Sequence, residues 1–200
     1  IEFPHLARFK DRWYCAFREG LEHGNHISGR ARIIRSCDGQ RWETAAVLEA
    51  ETGDVRDPRL SVTPDGQLMV NASIRFVQDA VPLRVVNGKA VERQSVTWLS
   101  ADGTSWGEPY ACPSGINTWR WDVAWHKGYG YSVGYSGKDR TGALYRTADG
   151  KTWERWQSNF FPTGDFDRGS EAALTFGTDD TAYCLVRGAD ALGTAQPPYR

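Results

Sequence analysis

Among the 200 residues, the side chains able to do acid–base chemistry on a polar substrate fall in a few places. His23 and His26 bracket a glycine-containing loop, and an imidazole titrates in the range a general acid needs. Asp57 stands between Arg56 and Pro58, where it can either tie a turn or act as an acid. Glu171 precedes an apolar strand-like run without an obvious local partner, and Arg187 follows sixteen residues later. Trp119-Arg120-Trp121-Asp122 sets aromatic planes beside ions, a combination that stacks sugar rings and binds hydroxyls. The chemistry these residue types allow is acid–base work on a hydroxyl-bearing substrate, without a metal and without a cofactor.

Such groups need a frame, and the chain repeats one. Ser36-Cys37-Asp38-Gly39-Gln40-Arg41-Trp42, Ser100-Ala101-Asp102-Gly103-Thr104-Ser105-Trp106 and Thr147-Ala148-Asp149-Gly150-Lys151-Thr152-Trp153 share one pattern. It reads hydroxyl residue, any residue, Asp-Gly, two further residues, Trp. Asp-Gly between strand-like runs is a hairpin signal, because Gly takes positive φ without a Cβ penalty and Asp bonds the backbone two residues on. The Ser or Thr is expected to help tie the turn, and the Trp to begin the next strand and plug the space between units. The box aspartates are therefore turn residues.

The intervening sequence reads as a meander. Unit one is expected to use 5–9, 12–17, 30–35 and 42–48; unit two 58–62, 67–72, 94–99 and 106–110. Unit three takes 121–126, 129–135, 143–146 and 153–157, and unit four 171–176 and 181–186. Residues 77–90 are left as a longer excursion. Four-stranded antiparallel units with a motif between the third and fourth strands predict an all-β fold, a β-propeller. Box spacings of 64 and 47 residues give about three and a half blades. Roughly four to eight are needed for closure, so the chain is expected to be one partial propeller domain over 1–200, completed by blades of the same or an accompanying chain.

Composition agrees. Nine Trp, eight Tyr and eight Phe with 21 Gly suit strands and turns. A formal net charge of -1 provides no general pull on nucleic acid, and no apolar run approaches the ~20 residues that span a bilayer. Neither nucleic acid nor membrane insertion is expected. The four cysteines lack zinc-ligand spacing, and Cys15 and Cys184 lie in apolar runs as small core residues. The opening Ile1-Glu2-Phe3-Pro4 has no signal-peptide pattern, so the chain is expected to begin inside a longer protein.

The three boxes resemble the Asp-box, or bacterial neuraminidase repeat, of the sialidase superfamily. The resemblance covers nearly the whole chain and implies a propeller of six blades when complete. It matches the family's Asn-Glu, followed sixteen residues later by Arg, to Ser170-Glu171 and Arg187. The Glu would then polarise a tyrosine nucleophile and the Arg bind a substrate carboxylate. The family's second-blade turn matches Arg56-Asp57-Pro58-Arg59. Its first-blade Arg position is occupied by Glu2, a position that another cation such as Arg18 could cover for the substrate carboxylate, and its acidic loop by His23-Gly24-Asn25-His26. A different glycan from sialic acid is therefore favoured. Catalysis is assigned to Glu171, His26 and Asp57, and substrate binding to Arg187, Arg18, Arg56, Arg120, Trp121 and Asp122. The resemblance implies a sialidase-like glycoside hydrolase, secreted or periplasmic; a non-catalytic carbohydrate- or protein-binding propeller is the alternative.

Overall fold

A computed structural model describes residues 1–23, 28–79, 81–82, 84–136, 141–161 and 168–189. His26 lies outside them. The chain is all-β, in successive antiparallel sheets. The first holds β1 (Glu2–Phe9), β2 (Arg12–Glu19), β3 (Arg30–Ser36) and β4 (Glu43–Leu48) in simple order. The second begins with β5 (Asp54–Val62) and β6 (Leu68–Arg75). The excursion forms two small hairpins, β7 (Val77–Gln78) with β8 (Val81–Pro82) and β9 (Val85–Val86) with β10 (Lys89–Ala90). The second sheet then resumes with β11 (Arg93–Ser100) and β12 (Tyr110–Ile116). β13 (Trp119–His126), β14 (Tyr129–Tyr135), β15 (Ala143–Thr147) and β16 (Glu154–Ser158) make the third sheet. β17 (Arg168–Phe176) and β18 (Ala182–Ala189) pair as the fourth.

The first strands β1, β5, β13 and β17 pack on one another in chain order, as inner strands about an axis. Three apolar clusters lie between consecutive sheets. Tyr14, Ile33, Val55 and Trp98 belong to the first, Met69, Tyr145 and Trp153 to the second, and Val133, Phe161 and Leu174 to the third. Removing an aliphatic side chain such as Ile33 or Val55 from water stabilises the blade stack by about 1.5–3 kcal/mol each.

The boxes are the outer turns, with one hydrogen-bond pattern in three copies. The Gly39, Gly103 and Gly150 N–H groups donate to Ser36, Ser100 and Thr147 at 2.8, 2.8 and 2.9 Å. Each Asp Oδ1 accepts the next two N–H groups after the glycine, as Asp102 does from Thr104 and Ser105 at 2.7 Å each. The glycines have φ of 76°, 79° and 72°, the region that favours glycine. The tryptophan closes the turn instead of opening the strand: Trp42 and Trp153 donate their indole N–H to the box glycine carbonyl. In unit two the expected strand 106–110 is displaced to Tyr110–Ile116, because Pro109 has no N–H for a ladder.

Each inner strand carries the same irregularity near its start. Register breaks fall between Glu2 and His5, Arg56 and Arg59, Arg120 and Val123, and Gly169 and Ala172. The strands consequently begin earlier than expected, since a bulge bends a ladder without ending it. Pro4 and Pro58 explain two of the four, for each removes a ladder donor. Phe3 and Asp57 ahead of them have φ of 52° and 50°. A side chain other than glycine rarely adopts that region, and such residues gather at functional sites.

Candidate active site

The four bulges bring Phe3, Asp57, Trp121-Asp122 and Ser170-Glu171 to equivalent places on adjacent inner strands. Asp57 is 4% exposed. Burial pushes its carboxyl up to about 6; Arg56 and Arg59 oppose the shift and the Glu171 carboxylate adds to it. Its Oδ1 has no hydrogen-bond partner. Arg59, three-dimensionally between the acids, lies 4.4 Å over the Trp121 ring. Burial lowers its guanidinium, against the pull of Asp122, Asp57 and Glu171. Its Nε, together with Arg56 Nε and the indole N–H of Trp119, is also buried without a hydrogen bond. Arg56 Nε faces the Asp54 carboxylate at 3.5 Å, but Asp57 Oδ1, Arg59 Nε and the Trp119 indole N–H have no such partner, which is unusual since buried polar groups are nearly always paired.

The neighbours hold these groups in place. Glu171 Oε1 accepts from Arg187 at 2.6 Å, a close pair bridging β17 and β18. The Asn71 amide donates to the carbonyls of Arg120 and Trp121 at 2.9 and 2.6 Å and so fixes the bulge that carries Asp122. His5 accepts the Leu60 N–H on Nδ1 at 3.1 Å, which leaves Nε2 facing Asp122 Oδ1 at 3.6 Å. Burial and the Arg59 charge lower His5, while Asp122 raises it. Trp119 stacks on Tyr135 at 6.0 Å and 11°, and Arg93 sits 5.0 Å over its ring. Burial, Glu171 and Asp57 all raise the Tyr135 phenol above its ordinary value.

Several assigned residues therefore converge: Asp57, Glu171, Trp121 and Asp122, with Arg187 beside Glu171. Arg56 sits at the edge, donating to the His23 carbonyl and facing Asp54 at 3.5 Å. Two assignments are corrected by placement. Arg18 is only 1% exposed and committed to Asp54 and Glu2, each at 2.9 Å. It neutralises Glu2 from within the blade and is not offered to a ligand. Arg120 alternates to the opposite side of β13 from the site, over the Trp153 ring at 4.8 Å, and burial pushes it down to about 10. Strand alternation beside the bulge decides this, and the tetrapeptide alone hides it. His5, Arg59, Tyr135 and Arg93 were not anticipated. The proline after Phe3 and after Asp57 was the available signal for the bulges that gather them.

No protein-family model and no curated protein sequence matches this chain. Solved structures do match. A protein of unknown function from Dyadobacter fermentans superposes with a TM-score of 0.77 at 18% identity, over 94% of this chain and 62% of its own. Penicillium chrysogenum α-L-arabinanase, solved with arabinobiose, gives 0.70 at 15%, over 96% and 58%. The Bombyx mori GH32 β-fructofuranosidase gives 0.66 at 16%, over 94% and 41%. The fold is that of β-propeller glycoside hydrolases. This chain spans 41% to 62% of the length of these three structures. In this propeller the acids occupy the bulged starts of successive inner strands, and the boxes lie at the outer turns.

Proposed function

We propose that this chain carries the acid–base centre of a glycoside hydrolase that acts on a glycan, with Asp57 as general acid and Glu171 as its carboxylate partner. The observation that carries the reading is the difference between the two acids. Asp57 keeps its proton up to about pH 6 because it is buried. Glu171 is held by a charge-assisted bond from Arg187. Two carboxyls in contrasting environments are what glycosidic cleavage needs: one proton for the leaving oxygen, one anion for the sugar or for water. Asp122 and Arg59 would take sugar hydroxyls, and Trp121 and Trp119 would supply apolar surface.

A sialidase-type activity is the narrower reading. The three Asp-box turns and the Glu171–Arg187 pair support it, and Arg18 relieves the charge of Glu2. Tyr135, close to Glu171, is the tyrosine to test as nucleophile. Its phenol is held protonated by burial, so it would need to pass its proton to a carboxylate before attacking.

The experiment is hydrolysis of a panel of 4-methylumbelliferyl glycosides, including the α-sialoside and the α-L-arabinofuranoside, by the whole protein and by Asp57→Asn, Glu171→Gln and Tyr135→Phe. Loss of turnover in the first two, with folding intact, supports the acid pair. Unchanged turnover in either removes that residue from the mechanism. Saturable glycan binding without hydrolysis of any member would select a non-catalytic propeller, a reading favoured by Glu2 standing where the sialidase pattern has its first-blade Arg and by His23-Gly24-Asn25-His26 standing where it has its acidic loop.

A further inference from the structure

His5 sits just past the bulge of β1, and its ring bridges three inner strands. Nδ1 accepts the Leu60 N–H of β5 at 3.1 Å, while Nε2 faces Asp122 Oδ1 on β13 at 3.6 Å. β5 is an edge strand of its sheet, so alternate N–H groups along it lack a ladder acceptor, and the imidazole supplies one to Leu60. That bond fixes the ring. A backbone N–H can only donate, so Nδ1 is the bare nitrogen and the neutral ring carries its proton on Nε2. Turning the ring over would set a carbon against the Leu60 N–H instead.

Protonation is opposed by the same bond, since an Nδ1–H would face the Leu60 N–H donor to donor. The charges around the ring are Arg59 on β5 and Asp122 on β13; burial and Arg59 disfavour the imidazolium, Asp122 favours it, and His5 lies below its ordinary value. From β2 the Cys15 thiol meets the His5 backbone, and Glu2 on β1 itself is taken by Arg18 and His23. His5 is thus a donor aimed at a carboxylate but short of it, for 3.6 Å exceeds an N–H···O bond. Asp122 Oδ1 accepts the Val123 N–H instead, at 2.9 Å. Both side chains keep part of their surface open, 26% for His5 and 22% for Asp122, so a ligand atom can reach the two together.

One kind of group completes the pair. A hydroxyl accepts from Nε2–H with a lone pair and donates its proton to Asp122, whereas an ether or ester oxygen has no proton to give and an ammonium no lone pair. We infer that His5 and Asp122 read one free hydroxyl of the sugar, His5 as a neutral donor of fixed tautomer and Asp122 as acceptor, and so set the specificity of the acid centre. The substrate is then a glycan unsubstituted at that hydroxyl; a deoxy, O-alkyl or O-acyl form would leave donor and acceptor unpaired in a partly buried place. The hydroxyl role rests on the proposed action on a glycan, whereas the tautomer and aim of His5 do not. With its basic nitrogen committed to Leu60, His5 takes no proton in the reaction.

The test has two arms. Long-range 1H–15N correlation spectra of the 15N-labelled whole protein are recorded from about pH 8 to 6, with the His5 signal assigned by replacing His23, His26 and His126 in turn. The expected pattern is Nε2–H with a bare Nδ1 throughout; an Nδ1–H tautomer, or an imidazolium at pH 7, overturns the fixed donor. The second arm compares the parent, His5→Asn and Asp122→Asn on the panel glycoside that is turned over and on its monodeoxy analogues. His5→Asn keeps an acceptor for Leu60 where Nδ1 stood and removes the donor. The parent is expected to discriminate against one analogue at least about tenfold in kcat/KM, and both variants to lose most of that ratio. Equal losses on every analogue, or an unchanged ratio, overturn the hydroxyl role; should His5→Asn not fold, Asp122→Asn alone decides. Where no glycoside is cleaved, the glycosidase reading fails and the same ratio is measured as Kd for the glycan that binds. Absence of binding to every member overturns the hydroxyl role too, while the spectra still decide the tautomer.

Discussion

At the outer turns, each box aspartate's Oδ1 accepts two backbone N–H groups and faces the box hydroxyl. Backbone N–H donors hold Asp38 and Asp102 below the usual aspartate range, and at Asp149 the same donors outweigh a burial that pulls the other way. At the inner bulge, Asp57 has the same side chain but is followed by proline in place of glycine; burial raises it to about 6 and Oδ1 accepts nothing. One residue type thus does two jobs, decided by whether N–H groups converge on the carboxylate or the carboxylate is stripped of water. Satisfied, depressed aspartates mark architecture; a stripped, raised one in a positive-φ bulge is the candidate for the proposed chemistry.

The sharpest way to break this contrast is to neutralise each kind. If the proposed glycosidase reading holds, Asp57→Asn and Glu171→Gln are expected to lower kcat by roughly 10²–10⁴-fold, the range general acid–base groups supply, whereas Asp102→Asn leaves kcat within a few-fold. Equal losses at Asp57 and Asp102, in well-folded variants, would dissolve the distinction.

A second difference is in how the boxes pack. A Cβ on Gly103 would fall 2.4 Å from the Tyr14 hydroxyl, while one on Gly39 would meet only Trp13 at 4.0 Å. Both have positive φ. Gly103→Ala should therefore destabilise by about 2–4 kcal/mol through strain and overpacking, and Gly39→Ala by about 1 kcal/mol through strain alone. Urea midpoints of the two variants check the ranking.

Stability against pH sharpens the contrast further. The folded value of Asp57 lies above its ordinary 3.8, so its contribution is present below pH 3.8 and is lost as pH rises through about 6. The loss is about 3 kcal/mol if the whole shift is expressed. Asp57→Asn should thus be more stable than the parent at pH 7 and equal to it near pH 3.5, a gain in stability at the expense of function. Thermal melts across that window would show no widening gap between variant and parent with rising pH if Asp57 were merely a turn residue. The smallest effect is expected at Asp38. Its value is depressed, so its contribution is present above 3.8 and lost as pH falls, and Asp38→Asn should be slightly less stable than the parent at neutral pH and converge with it in acid, which flattens the acid limb.

The boxes were legible because local chemistry completes them: hydroxyl, carboxylate and glycine satisfy one another within seven residues. The same locality let the strand pairs and their hairpins be placed, save where Pro109 delays β12 and where the bulges extend the inner strands. The candidate site was legible only in part. Asp57 and Glu171 stood out as ions beside strands, but Arg18 and Arg120 looked equally available until packing turned one onto Asp54 and the other into the seam with Cys112.

By itself, the order of residues determined an antiparallel repeat with tied outer turns, since those hydrogen bonds lie within a few residues of each other. Which ions face one another was decided only in three dimensions. His5, Arg59, Asp122 and Glu171 come from four different strands, and a one-residue bulge fixes the side to which each points. Their electrostatics depends on distances between blades and on the water excluded there, and neither is encoded in any single stretch of sequence.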